Sequence, residues 1–149
     1  MGAASMTHEE REAFLADVHV GVLSVEDPGR GPLAMPVWYL YEAGAVVIST
    51  EDRTRKAGLL RAAGRATLTV QVETPPYKYL SVEGPVTVEP TDRDWLALAT
   101  RYLGPEIGAS YADSNPSMAD SLLVRITPEH WRTMDFAKLP GAGGTTAGN

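Results

Sequence analysis

The sequence predicts an α+β fold in which six or seven antiparallel strands close into a barrel, flanked by about three helices. Three observations lead there. Short runs rich in β-branched residues recur from Val18 to Phe136, too short and too regular for helices. Turn chemistry and hairpin-length connections separate several of them, as at Glu42-Ala43-Gly44. The helical patterns are too few to alternate with the strands as a doubly wound sheet requires, and closure removes the exposed edges that so many short strands would leave.

Taken in order, Thr7-His8-Glu9-Glu10 opens a capping-box pattern, and Ala13, Phe14 and Val18 give a short amphipathic helix. Val18 to Val25 reads as a strand. Asp27-Pro28-Gly29-Arg30-Gly31-Pro32 is dense turn sequence, and a second strand runs from about Leu33 to Tyr41. The run Ala45-Val46-Val47-Ile48 is a buried strand ending at Ser49 and Thr50. A helix follows from about Thr54 to Ala63, with Ala57, Leu59 and Leu60 as its apolar side and Gly64 as its stop.

Ala66 to Glu73 alternates as a half-buried strand should, and Thr74-Pro75-Pro76 breaks it. Tyr77 to Glu89 is a long strand with a bulge or bend at Gly84-Pro85, because proline cannot donate to the ladder. Pro90 to Asp94 starts a helix whose broad apolar face is Trp95, Leu96, Leu98, Ala99, Tyr102 and Leu103. Residues 105–120 lack a period and read as a loop with a short helical turn. Strands from Leu122 to Thr127 and from about Trp131 to Phe136 complete the pattern. The expected organisation is a disordered leader at 1–6, one domain at 7–139 and a disordered Gly-, Ala- and Thr-rich tail at 140–149.

Composition narrows the chemistry. A 44% hydrophobic share with 21% charged residues is ordinary for a globular domain, and a net charge of −6 argues against a general nucleic-acid binder. With no cysteine, disulfides, thiolate metal sites and cysteine nucleophiles are excluded. Nothing approaches the ~20 apolar residues of a membrane helix, and no signal-peptide pattern opens the chain, so the expected setting is cytoplasmic without a membrane partner. His8, His19 and His130 have no ligand spacing, so no metal site is expected, and Asp92 and Asp94 are explained by helix capping. Gly29-Arg30-Gly31-Pro32-Leu33-Ala34 matches a dinucleotide fingerprint only formally, since a strand and not a helix follows. No catalytic side chain is assigned.

The stretch Ser49-Thr50-Glu51-Asp52-Arg53-Thr54-Arg55-Lys56 is the most informative. Two hydroxyls end a strand, and three cations lie at the start of a helix, where free N–H groups and the helix dipole attract an anion. Arg55 can grip a phosphate with parallel bonds while Lys56 adds a point charge. The competing reading is a solvated helix face continued by Arg61 and Arg65, with Glu51 and Asp52 pairing locally. Pro36-Val37-Trp38-Tyr39 lies just upstream, and Tyr77, Tyr79 and Trp131 are further aromatics that serve either packing or a planar ligand.

These residues carry a family likeness. Ser49 to Lys56, followed by Leu60, Arg65 and an alternating strand, resembles the flavin-phosphate segment of the pyridoxamine 5′-phosphate oxidase-like split β-barrels. Tyr79-Leu80-Ser81-Val82-Glu83-Gly84-Pro85-Val86 resembles that superfamily's next barrel strand. Pro36-Val37-Trp38 and the ending Ile126-Thr127-Pro128-Glu129-His130-Trp131-Arg132 are similar to the flavin/deazaflavin oxidoreductase branch. The likeness spans roughly Ala13 to Leu139.

The resemblance implies that Arg55 and Lys56 bind the cofactor phosphate with help from Ser49 and Thr50. It implies that Pro36, Val37 and Trp38 lie along the ring edge and that Tyr79 stands at a ring-contacting position. It further implies coenzyme F-420 as cofactor, with FMN as the close competitor, hydride transfer to a small unsaturated or oxidised organic substrate, and a homodimer with cofactor sites at the interface. Tyr77, Lys78 or Trp131 would then act across that interface, and Arg61 or Arg65 would meet the acidic tail of F-420. The alternatives are a flavin, deazaflavin or haem carrier of the same fold, and a barrel whose cations are only surface. The tryptophan and arginine–leucine–histidine ending of the classical oxidase is absent, which argues against pyridoxine phosphate as substrate. Ten Arg against three Lys suit a GC-rich genome, where F-420 is common.

Overall fold

The computed structural model describes residues 2–115 and 121–141. Helix α1 (His8–Ala16) starts at the expected capping box: Thr7 Oγ1 accepts from the Glu10 N–H at 3.2 Å and Glu10 Oε1 accepts from the Thr7 N–H at 3.1 Å. Strands β1 (Gly21–Val25), β2 (Leu33–Val37), β3 (Leu40–Glu42) and β4 (Ala45–Glu51) follow. Helix α2 (Arg55–Ala63) is capped by Thr54 and ends at Gly64, whose φ of 68° lies in the left-handed region that glycine adopts freely. Then come β5 (Arg65–Val72), β6 (Lys78–Pro90), α3 (Leu96–Leu103), α4 (Pro105–Ser114), β7 (Ser121–Ile126), β8 (His130–Asp135) and a 3-10 turn (Phe136–Lys138).

All pairings are antiparallel, in the order β2-β1-β5-β6-β7-β4-β3, with β8 added beside β6. The two ends of this curled sheet, β2 and β3, are consecutive in the chain and separated only by Trp38 and Tyr39. The expected strand from Leu33 to Tyr41 is therefore two strands with different neighbours, β2 beside β1 and β3 beside β4. The alternating residues Leu23, Val25, Ile48, Leu68, Val70, Leu80, Val82, Val124 and Ile126 meet inside the curl with Phe14, Leu15 and Leu60. Full burial of each large aliphatic side chain contributes about 2 kcal/mol. Strand β4 is apolar on both faces because Val46 and Ile48 point into this core while Val47 joins Leu40 and Leu98 under α3.

Strand β6 changes partners partway. Its first part pairs with β8 over Lys78–Glu83, and its second part pairs with β7 over Val86–Pro90. The β7–β8 connection crosses between them: the Thr127 N–H donates to Pro85 O at 3.0 Å and the Glu129 N–H to Glu83 O at 2.8 Å. A Cβ on Gly84 would sit 1.7 Å from Thr127 O, so the expected bend at Gly84-Pro85 is a backbone crossing that only glycine admits.

Three expectations are corrected. Residues 105–114 form helix α4 and not a loop. Pro105 occupies its first turn, and Gly108 lets it approach α3, since a Cβ there would lie 2.8 Å from Thr100 Cα. Strand β1 begins at Gly21, leaving Val18 and Val20 exposed. Part of the leader is packed: Ala4 and Met6 are buried, Ala4 O accepts from the Asp135 N–H at 2.8 Å, and the Met6 N–H donates to Thr133 Oγ1 at 2.9 Å. Residues 116–120 of the expected loop and 142–149 of the expected tail lie outside the described residues. No described helix is long and apolar enough to cross a membrane.

Candidate functional site

Ser49 and Thr50 close β4, and the chain turns through Glu51 to Thr54 into α2. Thr54 Oγ1 accepts from the Ala57 N–H at 3.2 Å and donates to Glu51 O at 2.8 Å. In the 3.2 Å contact between Thr50 Oγ1 and Thr54 Oγ1, Thr50 is therefore the donor. Ser49 makes no side-chain hydrogen bond among the described residues, so its proton is free to be donated.

The cation cluster resolves into pairs. Arg53 Nε donates to Glu51 Oε2 at 3.0 Å, Arg61 pairs with Asp52, and Arg65 Nη2 lies 3.0 Å from Glu129 Oε1. Arg55 Nη2 lies 2.6 and 2.8 Å from the two oxygens of Asp27, a residue only 6% exposed. Its hydrogen bonds hold the Asp27 carboxyl below the usual range. Lys56 differs: among the described residues it has no ion-pair partner, and burial lowers its ammonium pKa. The start of α2 therefore presents one uncompensated cation, Lys56, next to the positive end of the helix.

Lys56 lines a cleft of about 330 Å³ together with Ser49, Thr50, Glu51, Pro36, Val37 and Trp38. Trp95, Leu98, Ala99, Tyr111, Asn115 and Ser121 complete it. Trp38 stacks on Tyr102, with ring centres 5.0 Å apart and planes 4° from parallel, and Tyr111 leans on it at 5.6 Å. Trp95 is fixed by its Nε1 donating to Ser121 Oγ at 3.2 Å.

Of the residues expected at the site, Pro36, Val37, Trp38, Ser49, Thr50 and Lys56 are brought to this cleft. Two are not. Arg55 is turned to Asp27, and Tyr79 is on the outward face of β6, opposite Gln71 and Met134. Arg61 and Arg65 are also outside the cleft and paired with carboxylates. The α3 and α4 residues were missed in sequence. Trp95 read as a helix's apolar face, and Tyr111 fell in a stretch with no helical period.

The arrangement suits a flat group with an anionic end. The lining offers the Lys56 ammonium, the Ser49 hydroxyl and the start of α2, with the Glu51 carboxylate paired to Arg53, together with aromatic and aliphatic surface. Among the described residues the cleft's only ionisable side chains are Glu51, Lys56 and Tyr111, and no described group of three or more His, Cys, Asp or Glu residues could hold a metal ion.

A family model described as pyridoxamine 5′-phosphate oxidase matches residues 7–135. No curated protein matches the chain. Among solved structures, a conserved hypothetical protein from Mycobacterium tuberculosis is similar with a TM-score of 0.79 and 22% identity, covering 100% of this chain and 96% of that one. An F-420 reductase gives 0.66 and 21%, covering 81% and 94%, and a haem storage protein from Vibrio cholerae gives 0.62 and 15%, covering 85% and 94%. At these identities the likeness is one of fold.

Proposed function

The chain belongs to the pyridoxamine 5′-phosphate oxidase family, and from that premise we propose that it is an oxidoreductase binding coenzyme F-420, or FMN in its place. The observation that carries this reading is that Lys56, at a helix N-terminus and without an ion-pair partner among the described residues, lines one cleft together with Trp38. Lys56 and Ser49 hold the cofactor's phosphate, and Pro36, Val37 and Trp38 orient its ring. When bound, the reduced ring supplies a hydride to a small unsaturated or oxidised organic substrate. Pro36, Val37 and Trp38 exclude water from one side of the ring, and the protein's contribution is orientation. The setting proposed is the cytoplasm.

A homodimer is part of the proposal. Tyr79 is 40% exposed on a sheet face turned away from its own cleft, so it meets a cofactor only in a second copy related by a twofold axis. A binding-only role is the second reading, favoured by the absence of histidine and cysteine among the described cleft residues. Equilibrium binding of F-420 and FMN to purified protein and to Lys56→Ala tests the proposal. Submicromolar binding of either, weakened at least tenfold in the variant, supports it; binding of neither sinks it. Bound cofactor without turnover across enone and quinone panels moves the assignment to the carrier.

A further inference from the structure

Trp38 does not hold its place through its own strand. It lies between the last residue of β2 and the first of β3, where no ladder passes, and something else must fix its ring. That role falls to Tyr102 on α3. Its ring lies parallel to Trp38 at 5.0 Å, and it is not among the residues lining the cleft, so it takes the face of Trp38 turned away from the cleft. Its hydroxyl accepts from the Tyr39 N–H at 3.1 Å and donates to His19 O at 2.7 Å. Those two bonds tie α3 to the residue after Trp38 and to the α1–β1 connection. Next along α3, Arg101 Nη2 donates to Ala16 O at 3.0 Å and Asp17 O at 2.6 Å, so the helix cannot shift without breaking the C-terminal end of α1.

We propose that Tyr102 is the positioning residue for the cleft: its ring sets the plane of Trp38, and its hydroxyl locks the backbone on which Trp38 is carried. The proposal rests on the cleft as ligand site, but its physical core is independent of which ligand binds. A planar ligand that stacks on or beside Trp38 pays no entropy to order the indole, because Tyr102 has already ordered it.

The test uses two readouts on the full chain. With Trp95→Phe and Trp131→Phe, Trp38 becomes the lone tryptophan, and its near-ultraviolet circular dichroism and acrylamide quenching report its order. Tyr102→Leu is expected to flatten the dichroism and raise quenching, and Tyr102→Phe, which keeps the ring, to retain most of both signals. In the otherwise native protein, F-420 and FMN affinity should fall about three- to tenfold in Tyr102→Leu and by a smaller factor, about twofold, in Tyr102→Phe, which keeps the ring and loses the hydroxyl's two ties. Unchanged Trp38 signals in a folded Tyr102→Leu protein overturn the proposal, as does a Tyr102→Phe protein damaged as badly as the leucine variant. Should Tyr102→Leu not fold, Tyr102→Met serves the same comparison. If neither cofactor binds the native protein, the proposed function fails while the Trp38 signals still decide the role of Tyr102.

Discussion

Arg55 Nη2 reaches both carboxylate oxygens of Asp27, at 2.6 and 2.8 Å, across 28 residues of sequence. The pairing ties the start of α2 to the turn after β1 and takes the most obvious phosphate ligand away from the cleft. The Asp27 carboxyl is held below its ordinary value, first by the Arg55 hydrogen bond. A depressed folded-state value means stability that is present above the unfolded value, about pH 4, and lost as pH falls through the folded one. Urea midpoints of the native protein and Asp27→Asn should therefore differ at pH 6 and converge toward pH 3. A gap that stays constant over that range would show that the ion pair is not its source.

Lys56 carries the opposite balance. Its ammonium is partly desolvated and forms no ion pair among the described residues, the nearby Glu51 being taken by Arg53, which costs stability at neutral pH and preserves affinity for an anion. Lys56→Met, which keeps the aliphatic stem, should raise stability by about 0.5 kcal/mol in denaturant titrations. The same change should cost phosphate-bearing ligands about ten- to a hundredfold in affinity. Arg55→Ala should cost them much less, because Arg55 serves Asp27; equal losses in the two variants would put both cations on the ligand.

Gly84→Ala places a methyl 1.7 Å from Thr127 O and 2.9 Å from its carbonyl carbon, both backbone atoms. The β7–β8 crossing has nowhere to go, so a loss of about 3 kcal/mol or failure to fold is expected. Gly21→Ala is the matched control. Its methyl meets the flexible end of Leu68 at 2.6 Å, and the loss should be nearer ~1 kcal/mol. Comparable losses at the two sites would contradict the crossing.

Glu10 is held down to about 2, first by the Lys138 side chain and then by the Thr7 N–H. A titration followed by carbon NMR should find its midpoint there. In Lys138→Met the midpoint should rise toward the ordinary glutamate value, about 4.3, without reaching it, because the capping box remains. An unmoved midpoint would mean that Lys138 does not rest on Glu10 in solution.

Much of this was legible in the chain. The alternation of Ala66 to Glu73, the capping box at Thr7 and the stop at Gly64 are local signals, and the structure uses them as written. Helix α4 was not legible, because Gly108 looks like a helix breaker until Thr100 is seen against it, and no local pattern encodes a helix crossing. The arginines misled for a related reason. Arg53 and Arg61 take the local partners Glu51 and Asp52 that the solvated-face reading offered, but Arg55 and Asp27, like Arg65 and Glu129, are distant in sequence, and no local pattern shows that those two arginines are matched. Trp38 was found by its neighbours in sequence; Tyr102, which fixes it, could be found only in space.

The link at Trp38 and Tyr39 joins the two ends of the sheet by two residues and not by a ladder. A nick or a new pair of termini placed there would unfasten β2 from β3 without costing a single strand-to-strand hydrogen bond. The cleft's Trp38 is mounted on that joint, which Tyr39 and Tyr102 hold fast. Changes in the breadth of ligands accepted can then arise by lengthening or stiffening this one joint, leaving every strand in register.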